Sequence, residues 1–175
     1  MNQRIQLLQQ YQQEFSVNTD QYRKHVLSRL TFRLFLFMKL PMAFLAGIRV
    51  RELTTQSCSV TVPYKWLNQN PFRSTYFAVS AMAGEMCGGL LALMMCNRAK
   101  PSVATLVVKV EASFSKKATG LTTFVCSDGE KIRQAIEQSI LSGEGSTAQT
   151  TSIGYNVAGE EESRFIVTWS FKVRQ

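Results

Sequence analysis

The sequence predicts an α+β fold, a curved antiparallel sheet of about six strands wrapped around one long apolar helix, with a helical extension at the N-terminus. Three observations carry that expectation. Residues 74–97 are apolar nearly all round, so a helix there must be covered on most sides. Alternating apolar and polar residues mark strands before it, at 58–64, and after it, most clearly at 165–173. Apolar residues at helical spacing occupy much of residues 1–40.

Each element follows from its own pattern. Leu7, Leu8, Tyr11 and Phe15 recur at helical spacing, and so do Val26, Leu27, Leu30, Leu34, Phe37 and Met38. Arg23, Lys24, Arg29, Arg33 and Lys39 lie among the second set, making residues 22–40 a basic amphipathic helix that Pro41 should end. From Gly47 the period changes to two. Ile48, Val50 and Leu53 predict one strand, and Cys58, Val60, Val62 and Tyr64 predict the next. The polar turn Asn68-Gln69-Asn70-Pro71 then leads into the long helix.

Beyond Pro101 strands dominate. Val108, Val110, Ala112 and Phe114 alternate with polar residues, and 121–126 forms another strand-like run. After Asp128-Gly129, a short helix should place Ile132, Ala135, Ile136 and Ile140 on one face and stop at Gly143. Residues 148–157 are weakly strand-like, and Gly159 with Glu160, Glu161 and Glu162 marks an acidic turn. In the last strand Phe165, Val167, Trp169, Phe171 and Val173 share one face. The pattern divides the chain into a helical extension at 1–45 and one domain at 46–175.

Composition narrows the partners. Lys and Arg number 20 against 12 Asp and Glu, a net charge of +8 that favours polyanions. The surplus is uneven: residues 1–65 carry nine basic and three acidic side chains, residues 66–175 eleven and nine. The helix at 22–40 therefore has two readings, a solvated basic face over a core or a landing site for phosphates or an anionic membrane surface in peripheral contact. Nucleic acid is disfavoured, because no recognition-helix or zinc pattern accompanies the charge.

Four dispersed cysteines and one histidine, His25, assemble no zinc-type ligand set, so no metal is expected. Without a C-x-x-C pair or a signal-peptide core at the N-terminus, the expected setting is reducing and cytoplasmic. Two greasy stretches fall short of a membrane span. Residues 30–48 are interrupted by Arg33, Lys39 and Pro41, and residues 74–97 by Glu85, which leaves charge-free runs of 11 and 12 residues. No Gly-x-Ser-x-Gly, Walker loop or Gly-x-Gly-x-x-Gly is present.

The run Asn70-Pro-Phe-Arg-Ser-Thr-Tyr-Phe-Ala-Val-Ser-Ala-Met-Ala-Gly-Glu85 resembles the signature of hotdog-fold acyl-CoA thioesterases of the phenylacetyl-CoA thioesterase type. In that signature Asn-Pro-x-Gly-x-x-His-Gly-Gly enters the central helix, and an acid follows nine residues after the His. Asn70, Pro71 and Glu85 match at that spacing, while Arg73, Tyr76, Phe77 and Ala78 stand where the motif has Gly, His, Gly and Gly. Val62-Pro63 leading to Asn70, followed by Gly84-Glu85 and Gly88-Gly89-Leu90-Leu91, is closer still to an uncharacterised thioesterase-related hotdog family.

The resemblance implies a hotdog domain, a homodimer joined sheet edge to sheet edge (with a tetramer left open), and hydrolysis of an acyl-CoA or acyl-carrier thioester. It implies no cofactor beyond the coenzyme A of the substrate. Glu85 would be general base or nucleophile, and Asn70 would hold water or the carbonyl. Arg73, Tyr76, Phe77, Ala78 and Met82 would line the substrate site. The alternatives are that Glu85 makes a structural ion pair or caps a partner's backbone at the dimer interface, and that the protein binds acyl-CoA or lipid without turnover.

Overall fold

The structure is a computed structural model that describes residues 2–174. Helix α1 (Asn2–Leu27) is followed by α2 (Arg29–Lys39) and α3 (Pro41–Ala46). Strands β1 (Arg49–Leu53) and β2 (Cys58–Val62) come next, then the central helix α4 (Phe77–Cys96). Strands β3 (Val103–Phe114) and β4 (Thr122–Cys126), helix α5 (Gly129–Ser142), and strands β5 (Ser146–Tyr155) and β6 (Glu161–Val173) complete the chain. All six strands form one antiparallel sheet in the order β1-β2-β4-β5-β6-β3.

The sheet curves around α4, which packs against β2, β4, β5, β6 and β3. Small residues permit that approach. A Cβ on Gly84 would meet the Phe165 ring at 2.7 Å, and one on Gly88 would meet Thr150 Oγ1 at 2.7 Å. These glycines seat the helix on its own sheet. Around them Phe124, Phe165, Phe171, Leu91 and Met94 are fully buried, each contributing roughly 1.5–3 kcal/mol by leaving water. By length and composition α4 is the one helix among the described residues able to cross a bilayer, but the sheet covers it instead.

Three departures from the sequence pattern have local causes. The basic helix expected at 22–40 is divided at Ser28, whose extended backbone separates α1 from α2; α2 ends at Lys39, just before Pro41 as expected, and Pro41 opens the short α3 at its first position, where its missing N–H is not needed. The central helix begins at Phe77 rather than near Ser74. Thr75 N–H donates to Ala118 O at 2.7 Å and Tyr76 N–H to Asn68 O at 2.7 Å, so both residues are held outside the helix.

The third departure is β3. Its alternation predicts a strand with one buried face, yet from Leu106 onward the strand is largely exposed. It is an edge strand, paired only with β6 and bulged at Val108. By contrast α5 carries Ile132, Ala135, Ile136 and Ile140 inward and ends at Gly143 in a left-handed conformation, as its spacing predicts.

Candidate active site at the start of the central helix

The turn before α4 is organised by Asn70. Its Oδ1 accepts from Phe72 N–H at 3.0 Å, Ser74 N–H at 3.2 Å and Ser74 Oγ at 3.3 Å, while Nδ2 donates to Thr75 O at 3.5 Å. These bonds hold the loop in its folded conformation. Arg73, within that loop, has φ of 58°, a left-handed conformation that ordinarily favours glycine. The loop keeps a glycine-like backbone although the side chain is arginine.

Tyr76 precedes the helix and does not cap it with its side chain. Among the described residues the N–H groups of Phe77 and Ala78 have no acceptor. They sit at the positive end of a helix of 20 residues, a setting suited to a developing oxyanion. The rings of Tyr76 and Phe77 meet edge to face at 4.9 Å and are both exposed beside these donors.

A cavity of about 640 Å³ opens at this helix start. Asn70, Tyr76 and Phe77 line it, together with Phe114 at the end of β3, Lys116 and Lys117 in the following loop, and Glu162 at the start of β6. Arg73, Ala78, Met82 and Glu85 are outside this lining, and Met82 packs against the core.

Glu162 is the residue that sequence reasoning missed. It is 4% exposed, and its Oε2 accepts from Thr122 Oγ1 at 2.9 Å. Burial raises its carboxyl above the ordinary value. Three consecutive acids after a glycine look solvated, and strand alternation puts Glu162 on the face opposite Phe165. Ser115 N–H and Lys116 N–H, donating to the Glu162 carbonyl, bring the β3–β4 loop against it.

Glu85 lies on α4 two turns beyond the free N–H groups. It is largely buried, and desolvation alone raises its carboxyl above the ordinary value. No ion pair or hydrogen bond holds its carboxylate among the described residues. Its Oε1 lies against Gly89, near the edge of the Trp169 indole. The eight-residue step from Phe77 to Glu85 spans about 12 Å along the helix, too far for both to reach one carbonyl within a single chain.

The other ionisable core groups fit no metal site. Cys58, Cys87, Cys96 and Cys126 are free thiols, and burial pushes Cys126 up to about 11 and Cys96 up to about 12. Among the described residues no group of three His, Cys, Asp or Glu is placed to hold a metal.

The layered geometry, a sheet closed around one helix with a polar loop at its start, is the hotdog fold. Residues 28–169 match the family described as a domain of unknown function, DUF4442, and the chain belongs to that family. Helix α1 precedes the matched stretch.

Solved structures share the fold at low identity. PA5026 of Pseudomonas aeruginosa, named a "Probable Thioesterase", is 18% identical, with 86% of this chain and 99% of that one covered and a TM-score of 0.72. A variant of thioesterase PA1618, also from Pseudomonas aeruginosa, is 14% identical over 81% and 93% of the two chains, at a TM-score of 0.63. Thioesterase HI1161 of Haemophilus influenzae is 12% identical over 73% and 80%, at 0.56. No curated protein matches the chain.

Proposed function

We propose that this protein hydrolyses an acyl thioester carried by coenzyme A or an acyl carrier, at a site completed by two copies of the chain. The observation that carries the reading is Glu85: a desolvated carboxylate with no cation or donor beside it, on the helix whose start presents two unfilled N–H groups. Burying an acid this way is costly, and a structural ion pair would relieve the cost. The ion-pair alternative for Glu85 has no cation to rest on among the described residues.

In the reaction, Glu85 takes a proton from water as the water oxygen attacks the thioester carbonyl carbon. The N–H groups of Phe77 and Ala78 receive the negative charge that develops on the carbonyl oxygen. The C–S bond breaks and the thiolate takes the proton back from Glu85, leaving a free thiol and a carboxylic acid that ionises by releasing its proton to solvent. If Glu85 attacks directly, the same bond breaks to give an anhydride, which water then cleaves. Lys116 and Lys117 in the cavity wall, with Arg73 in the adjoining loop, supply positive charge for the phosphates of the carrier.

The second copy supports this chemistry in two ways. It brings the Glu85 of one protomer towards the helix start of the other, relieving the separation along α4. It also pairs β3, whose exposed Leu106, Val108, Val110 and Phe114 make a long open edge. Asn70, with its Oδ1 committed to the loop, favours a second reading in which the protein binds acyl-CoA without turning it over.

The test is a panel of acyl-CoAs of different chain length, with release of free thiol as the readout. Turnover by the parent protein that is lost in Glu85→Ala is the expected result. Saturable binding with no thiol released rejects hydrolysis and leaves the binding protein.

A further inference from the structure

Helix α2 is apolar on the wrong side. Phe32 and Leu36 are buried against the body of the protein, as a surface helix requires. The opposite face, which ordinarily carries charge, presents Leu30, Leu34, Phe37 and Met38, between 54% and 80% exposed. These four recur at the spacing of one helical stripe. Met42 and Leu45 of α3 extend the exposed apolar surface beyond the Pro41 bend.

The charge around this surface has one sign. Residues 21–51 hold seven Lys and Arg and no Asp or Glu. Lys24, Arg29, Arg33 and Lys39 are exposed and make no ion pair among the described residues. Arg33 lies over the Phe44 ring at 4.9 Å, at the margin of the apolar stripe. On the flank formed by Thr31 and Phe35, a hollow of about 460 Å³ is lined by Lys24, His25 and Arg98.

We infer that α2 and α3 dock this protein on an anionic lipid bilayer, with Leu30, Leu34, Phe37 and Met38 entering the headgroup boundary. The helix then lies in the plane of the interface, its leucines and phenylalanine in the acyl layer and its cations among lipid phosphates and carboxylates. Charge decides against a second copy as the occupant. An isologous contact places a patch on itself, and here it would set Arg29, Arg33 and Lys39 against the same cations with no acid between them. A bilayer rich in negative headgroups complements both the apolar stripe and its rim. The inference does not depend on the thioesterase reading.

The experiment is co-sedimentation of the full chain with phosphatidylcholine vesicles, with and without phosphatidylserine, at low and high salt. Pelleting should be about tenfold stronger with phosphatidylserine and should weaken as salt rises. Leu30→Glu with Leu34→Glu should abolish it, and Arg29→Gln with Lys39→Gln should cut it about tenfold, both at unchanged thermal melting because all four side chains are exposed. A parent protein that stays in the supernatant with phosphatidylserine vesicles overturns the inference, as does a double-glutamate variant that pellets normally. Loss of an oligomer in that variant, with no vesicle binding by the parent, overturns it in favour of a self-contact.

Discussion

The Glu85 carboxylate and Gly89 face each other across one turn of α4, with Oε1 3.0 Å from where a Cβ on Gly89 would stand. Gly89→Ala therefore pushes first on the movable end of that side chain and, at 3.3 Å, more lightly on the edge of the Trp169 indole. Its cost is offset by the roughly 1 kcal/mol that alanine gains over glycine within a helix. Stability should stay within about 1 kcal/mol of the parent while thiol release drops, because the carboxylate is displaced. Gly84→Ala meets the rigid Phe165 ring instead and should cost about 1–3 kcal/mol in denaturant unfolding. Equal losses of stability in both variants would remove Glu85 from this account.

Removing the charge of Glu85 should separate activity from stability. Because burial raises its carboxyl, the folded state holds the proton more tightly than the unfolded chain does. The contribution to stability is thus greatest at low pH and is lost as pH rises from the ordinary 4.5 through the raised value. Glu85→Gln should melt higher than the parent at neutral pH and release thiol about a hundredfold more slowly or worse. In the parent, kcat/KM should climb with pH through the same raised value, since the base works ionised.

Thr122→Val tests the second buried acid. The valine leaves Glu162 Oε2 without its hydroxyl donor in a site that is 4% exposed. The expected destabilisation is about 1.5–3 kcal/mol at neutral pH. It should shrink as pH falls and Glu162 becomes neutral, because the Thr122 hydroxyl bond favours the ionised carboxylate and so opposes the rise that burial imposes. Urea unfolding at two pH values measures both.

Arg73→Gly places the favoured residue at a φ of 58°. The left-handed penalty of about 1–2 kcal/mol is relieved, against an entropic cost of about 0.5–1 kcal/mol for glycine. Melting temperature should hold or rise slightly. If Arg73 meets the carrier's phosphates, KM for acyl-CoA should increase while kcat holds, and the effect should fade at high salt.

The open edge can be closed against a partner by charge. Val108→Lys with Val110→Lys, both on exposed positions of β3, should leave the monomer folded and prevent strand pairing across the edge. Sedimentation equilibrium should report the monomer mass, and thiol release should fall with it if the site needs two chains. A monomeric double variant that turns over acyl-CoA at the parental rate would refute the shared site.

Much of the fold is legible from periodicity because burial selects it residue by residue. The stripe Ile132, Ala135, Ile136 and Ile140 could face only a core, and Phe165, Val167, Trp169 and Phe171 could line only one face of a sheet. The weakness of β5 in the sequence has an equally concrete reason. Its inward positions are Ala148, Thr150, Ser152 and Gly154, small enough for the sheet to approach α4, with Thr150 Oγ1 accepting from Trp169 Nε1 at 2.9 Å.

The candidate site is legible only in part. Asn70, Tyr76 and Phe77 stand together because they are close in sequence, and Glu85 is conspicuous as the lone acid in an apolar helix. Glu162, Lys116 and Phe114 join them from segments far along the chain. No local pattern announces that meeting.

What the sequence alone determined is the list of elements and the positions of the charge within them, since both depend on neighbours a few residues away. Tertiary structure alone decided which apolar surfaces remain uncovered. The stripes on α2 and on β3 have the composition of buried faces, and only the sheet order, which leaves β3 at an edge, and the packing of α2 through Phe32 and Leu36 reveal that they face outward. Hydrophobicity dictates that a surface be removed from water; the three-dimensional arrangement dictates whether the same chain can do it.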